Sequence, residues 1–345
     1  MQISNPTIPL GSTVVVIGAN GYMGVETCEK LLQAGFHVRG TVRNVEKNRP
    51  WMHALFDEKW PGNFELIAVP NFEADGAFDQ AFAGAAGVIY VSTPVIFDAD
   101  PAKVINPVVK GTINTLNAAA RARVKRYVLS SSSKAVESTV YNKLHHITST
   151  MFNYEAIRKT CCDSTTEGFE RQLNVYSASR TLAELAFWSW VGENQSPFVA
   201  NCVVPDGQFG RVLNTDHIAS TGVMLKNAIE GNWDGVFPQL AYYCDVQDTA
   251  RLLVAALALP TLSNERIFAY SYNGTWNELR QKVSRIRAGS GTDTIVKGKD
   301  QELAGRDLSD ASGPIRRAEE ILRQVGRPGF SSDESILRDW LESFY

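Results

Sequence analysis

A tyrosine and an arginine one helical turn apart give this sequence its most specific chemical signal. Arg180 follows Tyr176 by four residues, so on a helix the guanidinium and the phenol share a face. A phenol is a weak acid at neutral pH, and a fixed cation nearby stabilises its phenolate. Because this spacing occurs by chance in many helices, it indicates a tyrosine proton donor only together with other motifs.

Three glycines near the start of the chain predict a site for a phosphate-bearing cofactor. They follow the apolar run 13–17 and precede a stretch with helical spacing. Glycines at a strand–helix junction allow a tight turn and let backbone N–H groups approach a phosphate. The spacing G-x-x-G-x-x-G is related to the usual dinucleotide fingerprint but differs from it. The residues assigned to this turn are Gly18, Asn20, Gly21, Tyr22, Met23 and Gly24.

The end of the second predicted strand indicates which dinucleotide the chain binds. An NAD-selective site typically has an acidic residue there for the ribose hydroxyls, whereas this chain has Arg43, with Lys47 one turn later. A guanidinium suits a 2′-phosphate, so the sequence favours NADP(H) over NAD(H). A solvated basic turn is the alternative interpretation.

The elements that must position these residues alternate along the first half of the chain. Short β-branched runs separate stretches with helical spacing, a pattern typical of βαβ units. It predicts an α/β fold: a Rossmann-type, doubly wound parallel sheet. The predicted strands span 13–17, 37–42, 64–69, 87–91, 126–130 and 198–204, and the predicted helices span 22–34, 104–123 and 176–193.

The pattern changes after residue 204, which suggests a smaller second unit. We expect residues 1–204 to form mainly the NADP(H)-binding domain. Residues 205–345 are expected to form mainly a C-terminal substrate-binding lobe, with some strands and helices returning to the Rossmann core. Residues 134–174 lack a clear period, and long loops are often functional, so we predict an active-site segment there. Further helices are predicted near 218–230, 246–259 and 335–344.

The bulk composition argues against several classes of function. A formal net charge of -3 over 345 residues gives no general attraction to nucleic acid or to an anionic membrane. No apolar stretch approaches the length of a membrane span, the first ten residues do not resemble a secretory signal, and five cysteines do not make a disulfide framework. No metal site is predicted, because C-x-x-C and H-x-x-x-H spacings do not occur. We expect a cytoplasmic monomer or homodimer.

Several motifs, taken in order, resemble those of one family, the extended short-chain dehydrogenase/reductases. The resemblance is greatest to the dihydroflavonol-reductase-like branch, in particular to fungal NADPH-dependent aldehyde and ketone reductases, and it covers nearly the whole chain. It implies NADPH-dependent reduction of a small-molecule aldehyde or ketone to an alcohol. The motifs occupy residues 18–24, 38–43, 76–79, 111–114, 130–133, 176–180 and 326–330.

This resemblance implies roles for individual residues. In the family, a serine after the fifth strand and the tyrosine of a Y-x-x-x-K motif bind the carbonyl oxygen, and the tyrosine protonates it. Ser132 matches that serine, with Ser131 and Ser133 as alternatives, and Tyr176 matches the tyrosine. Implied cofactor contacts are Asn71, Phe72, Val91, Ser92, Thr93 and Pro205. The residues assigned to a substrate pocket are Phe97, Ser132, Phe152, Phe209 and Tyr242.

Arg180 departs from the family pattern, which has lysine at this position. The family's lysine binds the nicotinamide ribose and assists the tyrosine, whereas arginine keeps the charge but is longer and planar. Arg180 either binds the ribose or turns toward a carboxylate. The first outcome favours a reductase; the second favours an NADP(H)-binding scaffold diverted to cyclisation, isomerisation or dehydration in fungal secondary metabolism. A non-catalytic NADP(H)-sensing protein is a third hypothesis.

Overall fold

The runs of β-branched residues in the first half of the chain form the centre of the molecule. This computed structural model describes residues 1–91, 94–163, 165–218, 221–234, 236–289, 295–303 and 305–345. Branched side chains favour strands because they pack well on a pleated surface. The strands are β1 (Thr13–Ile17), β2 (His37–Val42), β3 (Phe64–Ala68), β4 (Gly87–Tyr90), β5 (Arg126–Ser130), β6 (Leu144–His146), β7 (Val199–Pro205), β8 (Gly207–Phe209), β9 (Tyr242–Asp245), β10 (Arg266–Ala269), β11 (Tyr272–Asn273) and β12 (Leu308–Asp310).

Helices connect most of these strands, and several begin at a side-chain cap. Asn44, Asp100 and Asp245 each accept a hydrogen bond from a backbone amide in the first turn of the helix that follows. Within the described residues, no helix is both long enough and apolar enough to cross a bilayer. The helices are α1 (Tyr22–Gln33), α2 (Val45–Phe56), α3 (Asp79–Phe82), α4 (Pro101–Ala122), α5 (Tyr154–Cys162), α6 (Gly168–Glu193), α7 (Thr221–Glu230), α8 (Val246–Ala258), α9 (Trp276–Gly289), α10 (Ser312–Gln324) and α11 (Asp333–Glu342).

Seven strands form one parallel sheet in the order β3-β2-β1-β4-β5-β7-β10. The chain proceeds from β1 toward β3 in one direction and from β4 toward β10 in the other. Ligands of such sheets bind at the carboxyl ends of the strands where the direction changes. The Rossmann-type fold class predicted from the sequence is confirmed, and the crevice between β1 and β4 is the expected place for a cofactor.

Helices cover both faces of this sheet, and β1 shows how the two cores divide. Val14 and Val16 belong to one apolar cluster, together with residues of α1 and α8. Val15 and Ile17 belong to the other, which includes residues of α4 and α6. Successive side chains of a strand point to opposite faces, so a strand covered on both sides is apolar throughout.

The C-terminal half contributes to both the main sheet and a separate lobe. Strands β8, β9 and β11 form a small sheet, which shares a third apolar cluster with α7, α9 and α11. That cluster is centred on Phe209, Tyr243, Trp276 and Trp340, none of which is more than 1% exposed. Strand β10 and helix α8, in contrast, pack in the main domain.

The segment 134–174 is more regular than its sequence indicates. Its strand β6 pairs in parallel with β12, and helix α5 follows. Helix α6 begins at Gly168, so the predicted start at Tyr176 was wrong by two turns. The reason is that residues 168–170 are exposed and show no apolar period.

Candidate active site

The glycine turn after β1 brings the backbone close to the start of α1. Gly18 has φ of 77°, a left-handed conformation that favours glycine. A Cβ on Gly24 would overlap the carbonyl oxygen of Gly18, so the helix can approach the turn only without a side chain there. The Tyr22 ring is buried, and its hydroxyl donates to the carbonyl oxygen of Gly210 at 2.9 Å. Tyr22 therefore also holds the lobe against this turn.

One cavity, which we term the outer cavity, lies at the carboxyl ends of β1, β2 and β4. Its volume is about 380 Å³, and its wall includes Gly18, Asn20 and Phe72. Arg43 and Lys47 also line it, and both side chains are exposed. Neither side chain has a hydrogen-bond or ion-pair partner among the described residues. The cavity thus has a backbone turn at one end and two free cations at the other.

A second cavity, the inner cavity, lies between this turn and the lobe. Its volume is about 200 Å³. Residues from the glycine turn, the loop after β5, α6 and β7 meet here, although they are far apart in sequence. The predicted residues that line it are Gly21, Tyr22, Met23, Gly24, Val91, Ser132, Tyr176, Arg180 and Pro205.

The serine run after β5 divides into residues with different partners. Ser131 donates to a carboxylate oxygen of Glu184 at 2.6 Å, and Ser133 donates to Asp206 at 2.7 Å. The Ser132 Oγ accepts a hydrogen bond from the amide of Lys134 at 3.2 Å. A hydroxyl that accepts keeps its own proton for another partner. Of the three, Ser132 is therefore the serine whose hydroxyl can donate into the inner cavity.

The ring of Tyr176 lies between an arginine and a phenylalanine. The guanidinium carbon of Arg180 lies 4.9 Å from the ring centroid, a cation–π contact. The Phe97 ring stacks on Tyr176 with its centroid at 4.9 Å and an interplanar angle of 24°. These two contacts fix the plane of the phenol.

Among the described residues, Arg180 does not turn toward a carboxylate, which was one of the two arrangements considered from the sequence. Its side chain is buried, and one terminal nitrogen donates to the carbonyl oxygen of Pro94. The described residues provide no carboxylate partner for it, and its Nε has no hydrogen-bond partner among them. The side chain thus keeps a free N–H group and its positive charge beside Tyr176.

Sequence reasoning missed five polar residues of the inner cavity: Lys134, Asp206, Gln208, Thr221 and Gln239. Asp206 accepts from Ser133 and, at 2.9 Å, from the amide of Tyr242. Burial raises the pKa of Asp206, while the ammonium of Lys134 opposes that effect. Their positions in the sequence could have identified two of them, since Lys134 follows Ser132 by two residues and Asp206 directly follows Pro205.

Three of the predicted substrate-pocket residues lie elsewhere. Phe209 is buried in the core of the lobe because Gln208 faces the inner cavity and neighbouring strand residues face opposite sides. Tyr242 is buried too, and its hydroxyl donates to the carbonyl oxygen of Ser309. Phe152 lies in a separate surface cleft, with its ring 4.3 Å from the Arg266 guanidinium carbon. Phe97 alone of the four aromatic residues contacts Tyr176.

Of the predicted cofactor contacts that the structure describes, Asn71 lines neither cavity. Ser92 and Thr93 lie outside the described residues. Asn71 is exposed, and its side chain accepts a hydrogen bond from the amide of Glu73 at 3.0 Å, which closes a local turn. Its neighbour Phe72 packs against Gly111, where a Cβ would overlap the ring.

The fold and this arrangement of residues define a class of protein: an enzyme that binds a dinucleotide at the switch point of a Rossmann sheet. Residues 14–268 match the model of the NAD dependent epimerase/dehydratase family. The chain belongs to this family, the extended short-chain dehydrogenase/reductases, as the sequence motifs indicate.

Individual relatives extend over the whole chain. Aldehyde reductase 2 of Sporidiobolus salmonicolor is 31% identical, with 99% of this chain and 98% of that protein covered. Ketoreductase nvfG of Aspergillus novofumigatus is also 31% identical, with 97% of this chain and 96% of that protein covered. The prediction that this chain is an NAD(P)-dependent oxidoreductase is confirmed.

A solved structure supports the fold independently. Gre2 of Candida albicans, determined in complex with NADPH, superposes with a TM-score of 0.78 at 22% identity. The match covers 98% of this chain and 100% of that chain. At this level of identity the likeness concerns the fold.

Proposed function

We propose that this enzyme uses NADPH to reduce the carbonyl group of an aldehyde or ketone to an alcohol. The observation that carries the proposal is the inner cavity, where a donating serine hydroxyl, a phenol and a cation with a free N–H group meet. Ser132, Tyr176 and Arg180 match the groups that carbonyl reduction needs: a hydrogen-bond donor, a proton donor and a fixed positive charge.

The two cavities fit a nicotinamide dinucleotide phosphate. Helix α1 begins directly after the glycine turn, and the first N–H groups of a helix have no intrahelical partner, so they can face a pyrophosphate. Arg43 and Lys47 would hold a 2′-phosphate, because both are exposed cations without partners among the described residues. The free Nε of Arg180 would donate to a ribose hydroxyl. NADPH is therefore the proposed cofactor. Two comparisons support this choice: one relative is an aldehyde reductase, and one solved structure of the same fold is a complex with NADPH.

When bound, NADPH supplies the hydride. The chain's own residues act on the carbonyl oxygen. The Ser132 hydroxyl donates a hydrogen bond to that oxygen and so stabilises the negative charge that develops on it. Tyr176 donates its phenolic proton to the same oxygen to complete the alcohol. The Arg180 guanidinium next to the ring then stabilises the phenolate that remains.

The test combines cofactor binding with turnover. NADPH and NADH are titrated by protein fluorescence, and NADPH oxidation is then followed at 340 nm with a panel of aldehydes and ketones. Tyr176→Phe should lower kcat by about 10²-fold or more, the usual contribution of a positioned proton donor, with little change in the Kd for NADPH. Ser132→Ala should lower kcat as well, whereas Ser133→Ala leaves the proposed oxygen-binding hydroxyl in place.

Tyr154→Phe is the matched control, because Tyr154 lies on α5 and is 61% exposed. It should behave like the wild type in both assays. NADPH binding without oxidation across the whole panel would argue against a reductase and for a diverted or sensing function. Tighter binding of NADH than of NADPH would contradict the role given to Arg43.

A further inference from the structure

Gln208 lines the inner cavity and carries a buried acceptor without a partner among the described residues. The residue is 6% exposed and lines that cavity, and its side-chain Oε1 has no hydrogen-bond partner among the described residues. Buried acceptors are nearly always paired in folded proteins, because an unmade hydrogen bond costs the full desolvation of the group. An unpaired acceptor on a residue that lines an active-site cavity can accept a hydrogen bond from a ligand that binds there.

Local hydrogen bonds determine which end of the Gln208 side-chain amide is left without a partner. Its Nε2 donates to the backbone carbonyl oxygens of Asp206 at 3.4 Å and Gly207 at 3.2 Å. The reverse orientation would place the amide oxygen against two other oxygens, so the oxygen is the free end. The backbone is held as well. The backbone N–H group of Gln208 donates to the Thr221 hydroxyl at 2.9 Å, and that hydroxyl donates to the backbone carbonyl oxygen of Gln208 at 3.1 Å.

The charges around the cavity narrow the class of donor. Arg180 and Lys134 would repel a cationic group, and the lone pairs of Oε1 would repel an anionic oxygen, which is an acceptor as well. A neutral donor, a hydroxyl or an amide N–H group, meets neither repulsion. The carboxamide of the cofactor and a hydroxyl of the substrate both have this chemistry.

We propose that Gln208 is a specificity-determining residue whose Oε1 accepts a hydrogen bond from a hydroxyl group of the substrate. The proposal rests on the carbonyl reduction proposed above and names its substrate class: neutral hydroxylated aldehydes or ketones. A site built to bond a substrate hydroxyl discriminates against analogues that lack it, because its buried acceptor then stays unpaired. The substrate hydroxyl pairs with Gln208 while the carbonyl oxygen lies at Ser132 and Tyr176.

Two pairs of probes test the proposal, each pair differing only by a hydroxyl in place of a methyl group. The first pair, 2-hydroxyacetophenone and propiophenone, has the group beside the carbonyl. The second, 4′-hydroxyacetophenone and 4′-methylacetophenone, has it across the ring. In at least one pair the wild type should prefer the hydroxylated ketone in kcat/KM. Gln208→Met removes the acceptor at similar volume, and it should reduce that preference by about tenfold or more.

Gln281→Met on α9 is the control, because Gln281 is exposed and does not line the inner cavity. It should keep the wild-type preference. Equal kcat/KM for both members of both pairs in the wild type would overturn the proposal, whether or not Gln208→Met folds. A weaker Kd for NADPH in Gln208→Met, with both members of a pair slowed equally, would assign the acceptor to the cofactor's carboxamide and also overturn it.

Failure of the underlying reductase function gives a different result. In that case the wild type binds NADPH but reduces none of the four ketones. Calorimetric titration of all four ketones into the protein–NADP⁺ complex then measures their Kd values. These values test the role of Gln208 without turnover. Tighter binding of a hydroxylated ketone by the wild type, lost in Gln208→Met, supports the role of Gln208, and equal binding within both pairs overturns it.

Discussion

At the scale of single residues, hydrogen-bond partners separate side chains that the sequence makes equivalent. Ser131, Ser132 and Ser133 have the same chemistry and adjacent positions, so sequence motifs left them as alternatives. The structure gives two of them carboxylate partners that are 53 and 73 residues away along the chain. Such partners cannot be read from local sequence, since they depend on how α6 and β7 pack. The roles of Ser132 and Tyr176 in catalysis stay predictions.

Arg180 combines a structural contact with the function proposed for it. Its terminal nitrogen holds the carbonyl of Pro94, its charge lies over Tyr176 and its Nε is free. Lysine has a single nitrogen on a flexible stem and cannot make the forked set of contacts. The exchange of lysine for arginine was visible in the sequence, but the contact with a backbone carbonyl was not.

Substituting Arg180 should separate its charge from its shape. Arg180→Met removes both, and we expect kcat/KM to fall by about 10²-fold and the Kd for NADPH to rise. Arg180→Lys keeps the charge, so its kcat/KM and its Kd for NADPH should lie between those of the wild type and those of Arg180→Met. Steady-state kinetics and fluorescence titration measure these values, with Arg316→Met on the exposed face of α10 as control. Wild-type values in Arg180→Met would show that the guanidinium takes no part.

At the scale of elements, α6 is the helix that positions the site. It carries Tyr176 and, about two turns later, Glu184, which is fully buried. The Glu184 carboxylate accepts two hydrogen bonds from Arg266 on β10, at 2.6 and 3.1 Å, and one from Ser131. The bond from Ser131 thus ties the helix of Tyr176 to the loop of Ser132, and the pair with Arg266 ties that helix to β10. That pair was invisible in the sequence because 82 residues separate Glu184 from Arg266.

Removing the charge of Glu184 should weaken the contacts that join α6 to β10 and to the serine loop. Glu184→Gln keeps the shape but leaves the Arg266 guanidinium buried without its counter-charge, which typically lowers the free energy of unfolding by about 3–5 kcal/mol. Urea unfolding at neutral pH measures this change. We also expect kcat to fall, since Ser132 and Tyr176 lose their common anchor.

A matched surface pair provides the control for that experiment. Glu155 and Arg158 on α5 make a salt bridge of 2.7 Å, but both side chains are more than half exposed. Surface pairs contribute little to stability because water and salt screen them. Glu155→Gln should therefore unfold like the wild type, and an equal effect of the two substitutions would show that the Glu184 pair has no special role.

At the scale of the whole molecule, the sequence predicted the parallel sheet better than the second half of the chain. The strands predicted at 13–17, 37–42 and 126–130 have those bounds in the structure, because runs of branched residues buried on both faces are unambiguous. Helices after residue 204 are harder to assign. Apolar helical patterns show that a helix is buried, but not which of two cores it joins. Helix α8 accordingly packs in the main domain and α7 in the lobe.

The two cores meet at Asp245. This residue ends β9 of the lobe sheet and caps α8 of the main domain, where its carboxylate accepts a hydrogen bond from the amide of Gln247 at 2.8 Å. It is 2% exposed. Burial, together with the nearby carboxylate of Asp248, raises the pKa of Asp245 to about 6. The junction between the two cores thus holds a carboxyl group that binds its proton more tightly in the folded state than in the unfolded chain.

The contribution of Asp245 to stability should therefore fall as pH rises through the range in which it ionises. Between the ordinary pKa of an aspartate, about 4, and about 6, Asp245 holds more of its proton in the folded state than in the unfolded state, so its contribution to the free energy of unfolding decreases by up to about 1.4 kcal/mol per pH unit. Asp245→Asn keeps an oxygen for the cap but cannot ionise. Urea unfolding between pH 4.5 and 7.5 should show the variant gaining stability relative to the wild type as pH rises. A constant difference in stability between Asp245→Asn and the wild type across this pH range would contradict the assignment.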